Sequence, residues 1–221
     1  MSLPPQEGLH KMIDATKILE NKTRFLELVR SIQRACDKQG LISQLEGSDF
    51  FNAPASAMYH NSYEGGLCDH SLNVYDCLVK FVNALYPDPT NCPYSPDSLK
   101  IVALFHDLDK MNKYERTAFN KKVYMENGTK HDELGKFDWV TQWGYKRKED
   151  KDVFTIGTHG ENSVYMTETF IPLNVEEHCA IVNHHSVYDN NKLNITGIYS
   201  KYHLACLLHL ADMAATYVIE S

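Results

Sequence analysis

At 221 residues and 43% hydrophobic content, the chain is long enough to bury one substantial core, and a single domain is expected. The net charge of −7 argues against an extensive basic surface for nucleic acid. The charge is uneven, however: residues 110–151 hold 11 of the 22 Lys and Arg against 7 acidic residues, a local +4 beside −11 elsewhere. Such a segment suits a small anionic ligand, and equally a solvated loop.

The six cysteines, at 36, 68, 77, 92, 179 and 206, include no Cys-x-x-Cys pair, so neither a zinc knuckle nor a thioredoxin-like site is indicated. Most sit among apolar residues, as buried thiols do in a reducing compartment. The opening "MSLPPQEGLHKMID" lacks the charged start and apolar run of a signal peptide. The most apolar stretch, "YHLACLLHLADMAATYVI", is interrupted by His209 and Asp212 and is not expected to span a membrane. A cytoplasmic location is expected.

Taken in chain order, "NKTRFLELVRSIQRACDKQG" places apolar residues at 25, 28, 29, 32, 35 and 36, a helical spacing that Gly40 is positioned to stop. "GGLCDHSLNVYDCLVKFVNALYP" repeats the pattern through Val74, Leu78, Phe81 and Leu85 and ends at Pro87. "SPDSLKIVALFHDLDK" opens with Ser95 as an N-cap and Pro96 at the first helical position. Residues 120–157 change character: "KKVYMENGTK" and "KFDWVTQWGYK" alternate, carry both tryptophans and are punctuated by glycine, so strand-like hairpin pieces are expected. "NVEEHCAIVNHH" begins with Asn174 and has Glu177 three residues on, a capping-box variant. A single long helix is expected for "TGIYSKYHLACLLHLADMAATYVIE".

The histidines fall at informative places on these elements. His70 lies near the start of the second helix, His106-Asp107 ends the third, and His159 begins another. His184-His185 ends the next, and Asp212 sits within the last. Each is in an apolar or helix-end context, where an isolated charge is costly to bury. Singly, each fits a hydrogen-bonded core histidine or a paired aspartate. As a set, five helices supply imidazole or carboxylate, the donors of zinc, iron, manganese and similar metals, and helix bundles build metal sites in this way. Asp107, adjacent to His106, is placed to bridge two ions.

The order His70, His106-Asp107, His159, His184-His185, Asp212, with "THG" and "NHH", resembles the HD-domain superfamily of metal-dependent phosphohydrolases over roughly residues 50–216. "YHNSYEGGLCDH" and "HDLDK" are similar to the HD-type 3′–5′ exoribonucleases and HD-GYP phosphodiesterases. The resemblance implies a mainly α fold: an HD helical bundle over residues 50–221 with a small β-hairpin insertion at about 120–157. The first 49 residues would form a helical extension packed on it. By the resemblance, His70, His106, Asp107 and Asp212 would hold one divalent transition metal (Mn, Fe, Ni, Co or Zn), and Asp107, His159 and His184 a second. His185 is a further ligand or a phosphate contact. The implied reaction is phosphoester hydrolysis of a nucleotide or short oligonucleotide by a metal-bridging hydroxide, with Asp107, Lys110 and His60 in catalytic roles.

Read from the residues, Lys110 suits either a phosphate contact or the cap of its helix C-terminus. His60 suits leaving-group protonation, a phosphate contact or an ordinary surface histidine. Lys146 and Arg147 are weaker candidates for substrate contacts, and Trp139 and Trp143 suit either base stacking or hairpin packing. The basic segment as a whole is expected to fold over the metal centre as a substrate rim. Three features depart from the family pattern. Asp109 replaces the glycine of "HD-x-G-K". "SVYDNN" stands where a "GYP" loop would follow. The N-terminal residues look helical and do not suggest an oligonucleotide-binding barrel. Two other readings of the same ligands are a di-iron oxygenase of HD fold acting on a small polar substrate, and a non-catalytic binding module. The sequence leaves the oligomeric state open.

Overall fold

The computed structural model describes residues 14–185 and 195–221; the "SVYDNN" stretch lies outside the described residues. The described chain is mainly helical: α1 (Ala15–Arg30), α2 (Lys38–Glu46), α3 (Gly66–Leu85), α4 (Pro96–Phe105), α5 (His159–Glu168), α6 (Val175–Asn183), α7 (Ile195–Lys201) and α8 (His203–Ala214). Between α4 and α5 stands a three-stranded antiparallel sheet of order β1-β3-β2, formed by β1 (Tyr114–Tyr124), β2 (Lys130–Asp132) and β3 (Gly135–Arg147).

The expected helix signals operate locally. Ser95 accepts a hydrogen bond from Ser98 N at the start of α4, with Pro96 at the first position. Asn174 and Glu177 form a complete capping box on α6, and Thr158 with Glu161 forms another on α5. Gly40 does not stop a helix. α1 ends nine residues earlier at Ser31, and Gly40 lies in the first turn of α2, its N–H capped by Asp37. The final helix is also not continuous. Tyr202 breaks it into α7 and α8, which bend by 112°, and a π-helical turn (Ala215–Ile219) follows α8. Glu176 accepts from Leu204 N at this break, supplying a side-chain cap for the start of α8.

α3 and α4 pack against each other and contribute to two apolar clusters. One joins Leu67, Leu72, Ile101, Leu104 and Phe105 to Phe25, Val29, Leu41, Leu45 and Phe50, so α1 and α2 share this core. The other joins Val74, Leu78, Val102 and Ala103 to Val164, Ile181, Leu204, Leu208 and Ala211 of α5, α6 and α8. Among the described residues no single helix is long and apolar enough to cross a membrane.

The sheet has different physics. β1 and β3 pair over eleven residues, from Tyr114↔Arg147 to Tyr124↔Phe137, so the pairing begins earlier and ends earlier than the 120–157 expected. The boundary was hidden because nearly every residue of "YERTAFN" is exposed or half-buried, leaving no core-facing alternation to read. Phe137 is the only buried residue of the two long strands.

Candidate metal centre

His106 and His184 occupy equivalent positions, one at the C-cap of α4 and one at the C-cap of α6. Each turns its Nδ1 back to the carbonyl three residues earlier: His106 to Ala103 at 2.8 Å, His184 to Ile181 at 2.6 Å. A carbonyl only accepts, so Nδ1 must carry the proton, and each Nε2 presents its lone pair forward. Helix ends supply these free carbonyls, and the same bond fixes the tautomer that metal ligation requires.

Those lone pairs face Asp107, which follows His106 and begins a tight 3₁₀ turn (Leu108–Lys110). Its two oxygens look in different directions. Oδ1 is 2.5 Å from His159 Nε2 and 3.5 Å from His184 Nε2. Oδ2 is 3.6 Å from His70 Nε2, 3.5 Å from His106 Nε2 and 2.6 Å from Lys110 Nζ. His70 Nε2 also lies 3.2 Å from Asp212 Oδ1 and 3.3 Å from His106 Nε2. His185 Nε2 is 2.9 Å from the other Asp212 oxygen. All seven histidine and aspartate ligands named from the sequence therefore fall in one cluster, and groups of them lie close enough to share an ion.

Glycines make the approach possible. A Cβ on Gly160 would meet Val182 O at 2.4 Å and Ile181 O at 2.7 Å, so only glycine lets α5 press against the end of α6 and set His159 beside His184. Gly65 caps α3 with φ +83°, and a Cβ on Gly66 would strike Asn61 O at 2.0 Å. These contacts give physical meaning to the "THG" and "EGG" of the sequence.

Two carboxylates missed in the sequence complete the outer shell. Glu220, just past the π-helical turn, lies 3.0 Å from His70 Nδ1 and is held by Asn73. Asp109, noted in the sequence only as standing in place of a glycine, lies 2.5 Å from His159 Nδ1 and pairs with Lys113. Each orients a ligand histidine from behind, as carboxylates do around metal sites. Asp109–Lys113 had a sequence signal in its i,i+4 spacing. Glu220 had little, because an α-helical projection does not account for the wider turn before it.

The electrostatics divide the cluster. Burial alone would raise Asp107, but Lys110 and then His106 and His159 hold it well below the carboxylate range. Asp212 is likewise raised by burial and brought well below that range by His185 and His70. Burial opposes protonation of His70 and His159, yet Glu220 with Asp212 raises the first to about 10, and Asp109 with Asp107 raises the second to about 9. His106 moves the other way, to about 3, and His184 is also lowered, both chiefly by burial. Positive charge is thus favoured at His70 and at His159, which face different oxygens of Asp107.

The donor set fits metal ions. Nitrogen and carboxylate oxygen are borderline-hard donors, and His184 Nε2 and Asp107 Oδ2 are buried without a hydrogen-bond partner. Lys110 is 2.6 Å from that oxygen but outside hydrogen-bonding geometry. A cavity of about 610 Å³ adjoins the cluster, and its lining includes His60, His185, Asp212 and Glu220 together with Tyr59 and Tyr217.

The remaining named residues divide. Lys110 is buried, with burial outweighed by Asp107 so that its ammonium is held charged. His60 lies tilted against His70 at 4.7 Å between ring centroids; burial, then His70 and Lys110, lower it to about 4, so its ring is neutral near pH 7. Lys146 and Arg147 are not brought to the cluster. They pair with Glu115 and Asp150 and line a separate groove with Lys148 and Lys151. In comparisons with known proteins, no family model, curated protein or solved structure matches the chain.

Proposed function

We propose that the protein is a metal-dependent phosphohydrolase that cleaves phosphoester bonds of nucleotides or short oligonucleotides. The observation that carries this reading is Asp107, whose two oxygens face two separate sets of histidine nitrogens with a buried lysine beside one of them. His70, His106, Asp107 and Asp212 would hold one ion, and Asp107, His159 and His184 the other, with His185 as a further ligand or phosphate contact. Bound divalent ions (Mn, Fe, Ni, Co or Zn) would supply an activated water and neutralise phosphoryl charge. The order of these residues, similar to that in HD-domain phosphohydrolases, supports the same conclusion.

The chain's own groups do the positioning. Glu220 and Asp109 fix the rings of His70 and His159. Lys110 holds a positive charge against Asp107, where it favours an anionic substrate. His60, neutral at the cavity wall with its Nε2 unpartnered, can give or take one hydrogen bond to a bound ester. Tyr59 and Tyr217, also in the cavity lining, supply aromatic surface suited to the apolar face of a base.

The test has two stages. Elemental analysis of the purified chain should find a divalent transition metal. The loaded protein should then hydrolyse an aryl phosphodiester or a nucleotide, and a chelator should abolish the activity. Oxygen uptake with an inositol- or phosphonate-like substrate, together with no ester cleavage under any of these metals, would replace the hydrolase with an oxygenase.

A further inference from the structure

The β1–β3 hairpin carries a sidedness that neither the core nor the metal cluster explains. Cross-strand partners share a face and alternate residues share a face. The register therefore places Tyr114, Tyr124, Phe137, Trp139, Trp143 and Tyr145 together on one side. The opposite side has a single aromatic, Phe119, and mixes Glu115 and Asp138 with Lys121 and Lys146. Both tryptophans of the chain are on the aromatic face, 53% and 61% exposed, although tryptophan is ordinarily among the most buried residue types on average.

Cations are interleaved with these rings. Arg116 lies over Trp143 at 5.3 Å, and Lys122 lies over Phe137 at 4.0 Å and Tyr124 at 5.3 Å. β1 and β3 place no acidic residue on this face; the carboxylates that meet its cations, Asp132 and Asp150, come from β2 and from beyond the base. Asn120 and Thr141 pair across the middle, leaving amide N–H donors between the two tryptophans. Alternate residues on a strand are about 6.6 Å apart, room for one flat ring between neighbouring side chains. The face begins at Tyr114, within electrostatic reach of Lys110 and Asp107, so it runs outward from the metal cluster.

We propose that this face of the hairpin is a binding track for single-stranded nucleic acid, whose bases stack on Trp139, Trp143 and their aromatic neighbours. Every base has a π-face, so the track tolerates sequence. The interleaved cations suit the backbone, and continuity with the cluster would bring one end of a bound strand toward the metals. Only that last step rests on the proposed hydrolase; the binding does not. A second copy of the chain is a poorer occupant, because β1 and β3 give this face cations and no acidic residue, so two such faces would bring like charges together.

The experiment uses the full chain in EDTA, so that neither bound metal nor catalysis enters the result. The probe is a fluorescein-labelled 12-nucleotide oligothymidylate or oligouridylate. Because both tryptophans are on the track, binding should quench intrinsic fluorescence as anisotropy rises. The salt slope should be shallow, no steeper than about −2 for the three cations that β1 and β3 place on this face, Arg116, Lys122 and Arg147. Trp139→Ala with Trp143→Ala should weaken binding at least roughly tenfold, whereas the Trp→Phe pair should bind like the parent. Three outcomes would overturn the proposal: no saturable anisotropy change up to about 10⁻⁴ M oligonucleotide, binding unaffected by the alanine pair, or quenching that follows protein concentration without oligonucleotide while sedimentation reports a dimer. The last would assign the face to contact between copies. Quenching in the unaltered protein keeps the test decisive even where the alanine variant folds poorly.

Discussion

The His/Asp cluster and the hairpin meet in the sequence at Lys110 and Tyr114, separated there only by residues 111–113, and they differ in what holds their side chains. In the cluster, every ligand histidine has its second nitrogen or its ring fixed by a carbonyl, a carboxylate or a neighbouring imidazole, and helix ends from four directions determine the positions. In the hairpin, cross-strand pairing is the main restraint on the backbone, and several of its large side chains, both tryptophans among them, are exposed. An isolated two-stranded ribbon is marginal in water, so the arm must draw its stability from the sheet's third strand and from its anchorage at the base. There Lys148 N donates to Lys113 O at 3.0 Å. A buried polar cluster is intolerant of change, whereas an exposed ribbon is tolerant, and the two regions should respond oppositely to mutation.

The largest effect is expected at the carboxylate shared by both halves of the cluster. Asp107→Ala should remove all bound metal, because each of its oxygens faces a different histidine set. His159→Ala should leave the ions held by His70, His106 and Asp212. Metal-to-protein ratios by elemental analysis check this, and full metal content in the Asp107 variant would end the bridging assignment.

The next effect lies in the helical body, away from the metals. Arg34 donates to both oxygens of Glu177, at 2.6 and 2.5 Å, and the Glu177 side chain is fully buried. Arg34→Ala leaves that buried carboxylate without its cation, though still accepting from Asn174 N, and should cost about 3 kcal/mol at pH 7. Burial pushes the Glu177 carboxyl up, but the hydrogen bonds from Arg34, Ser98 and Asn174 N and the Arg34 charge together outweigh it and hold it below its ordinary value. A depressed carboxylate contributes stability above the unfolded pKa of about 4.3, and that contribution is lost as pH falls through the lower folded value. Urea unfolding of parent and variant should therefore differ most at neutral pH and converge in acid. An undiminished difference at pH 3 would locate the effect in lost packing of the arginine stem.

Glu220 offers a smaller and more specific perturbation. Glu220→Gln keeps the shape but removes the charge behind His70, and should weaken metal affinity by roughly 10- to 100-fold with little change in folding. Competition with a chromogenic chelator measures it. Unchanged affinity would mean that His70 needs no carboxylate partner.

The same contrast explains what was legible in the sequence. His70, His106, Asp107, His159, His184 and Asp212 stood out because a charged residue on an apolar helix face is a local anomaly. The N-caps Ser95 and Asn174 were legible because capping is local chemistry. Glu220 was not, since its approach to His70 depends on a π-helical turn and on the packing of α8 against α3. Asp109 was visible but misjudged: its partner His159 is 50 residues away, and the charge it adds is met there. The expectation that the basic segment folds over the metals gains no support from Lys146 and Arg147, which are paired with Glu115 and Asp150. Local charge excess carries no information about direction, and their partners Glu115 and Asp150 keep them at the hairpin base. Gly40 misled because glycine marks a helix end only when the next residues leave the helix, and here Asp37 starts a new one.

The smallest effect is expected from removing the outer hairpin. Ala118 and Trp143 are directly paired, so Phe119–Gln142 can be replaced by Asn-Gly, which favours the tight turn that matches strand twist. Among the deleted residues only Phe137 is buried, and it packs on Tyr124 and Trp139, which leave with it. The apolar clusters around α3 and α4 lose no member. Stability should thus change by no more than about 0.5 kcal/mol, the range of ordinary surface substitutions. Metal content should be unaltered, because no ligand or orienting carboxylate lies in the segment. Thermal unfolding and elemental analysis of the shortened chain measure both. A loss of several kcal/mol would show that the ribbon braces the helical body, and a loss of metal would show that the cluster depends on the arm beyond its base.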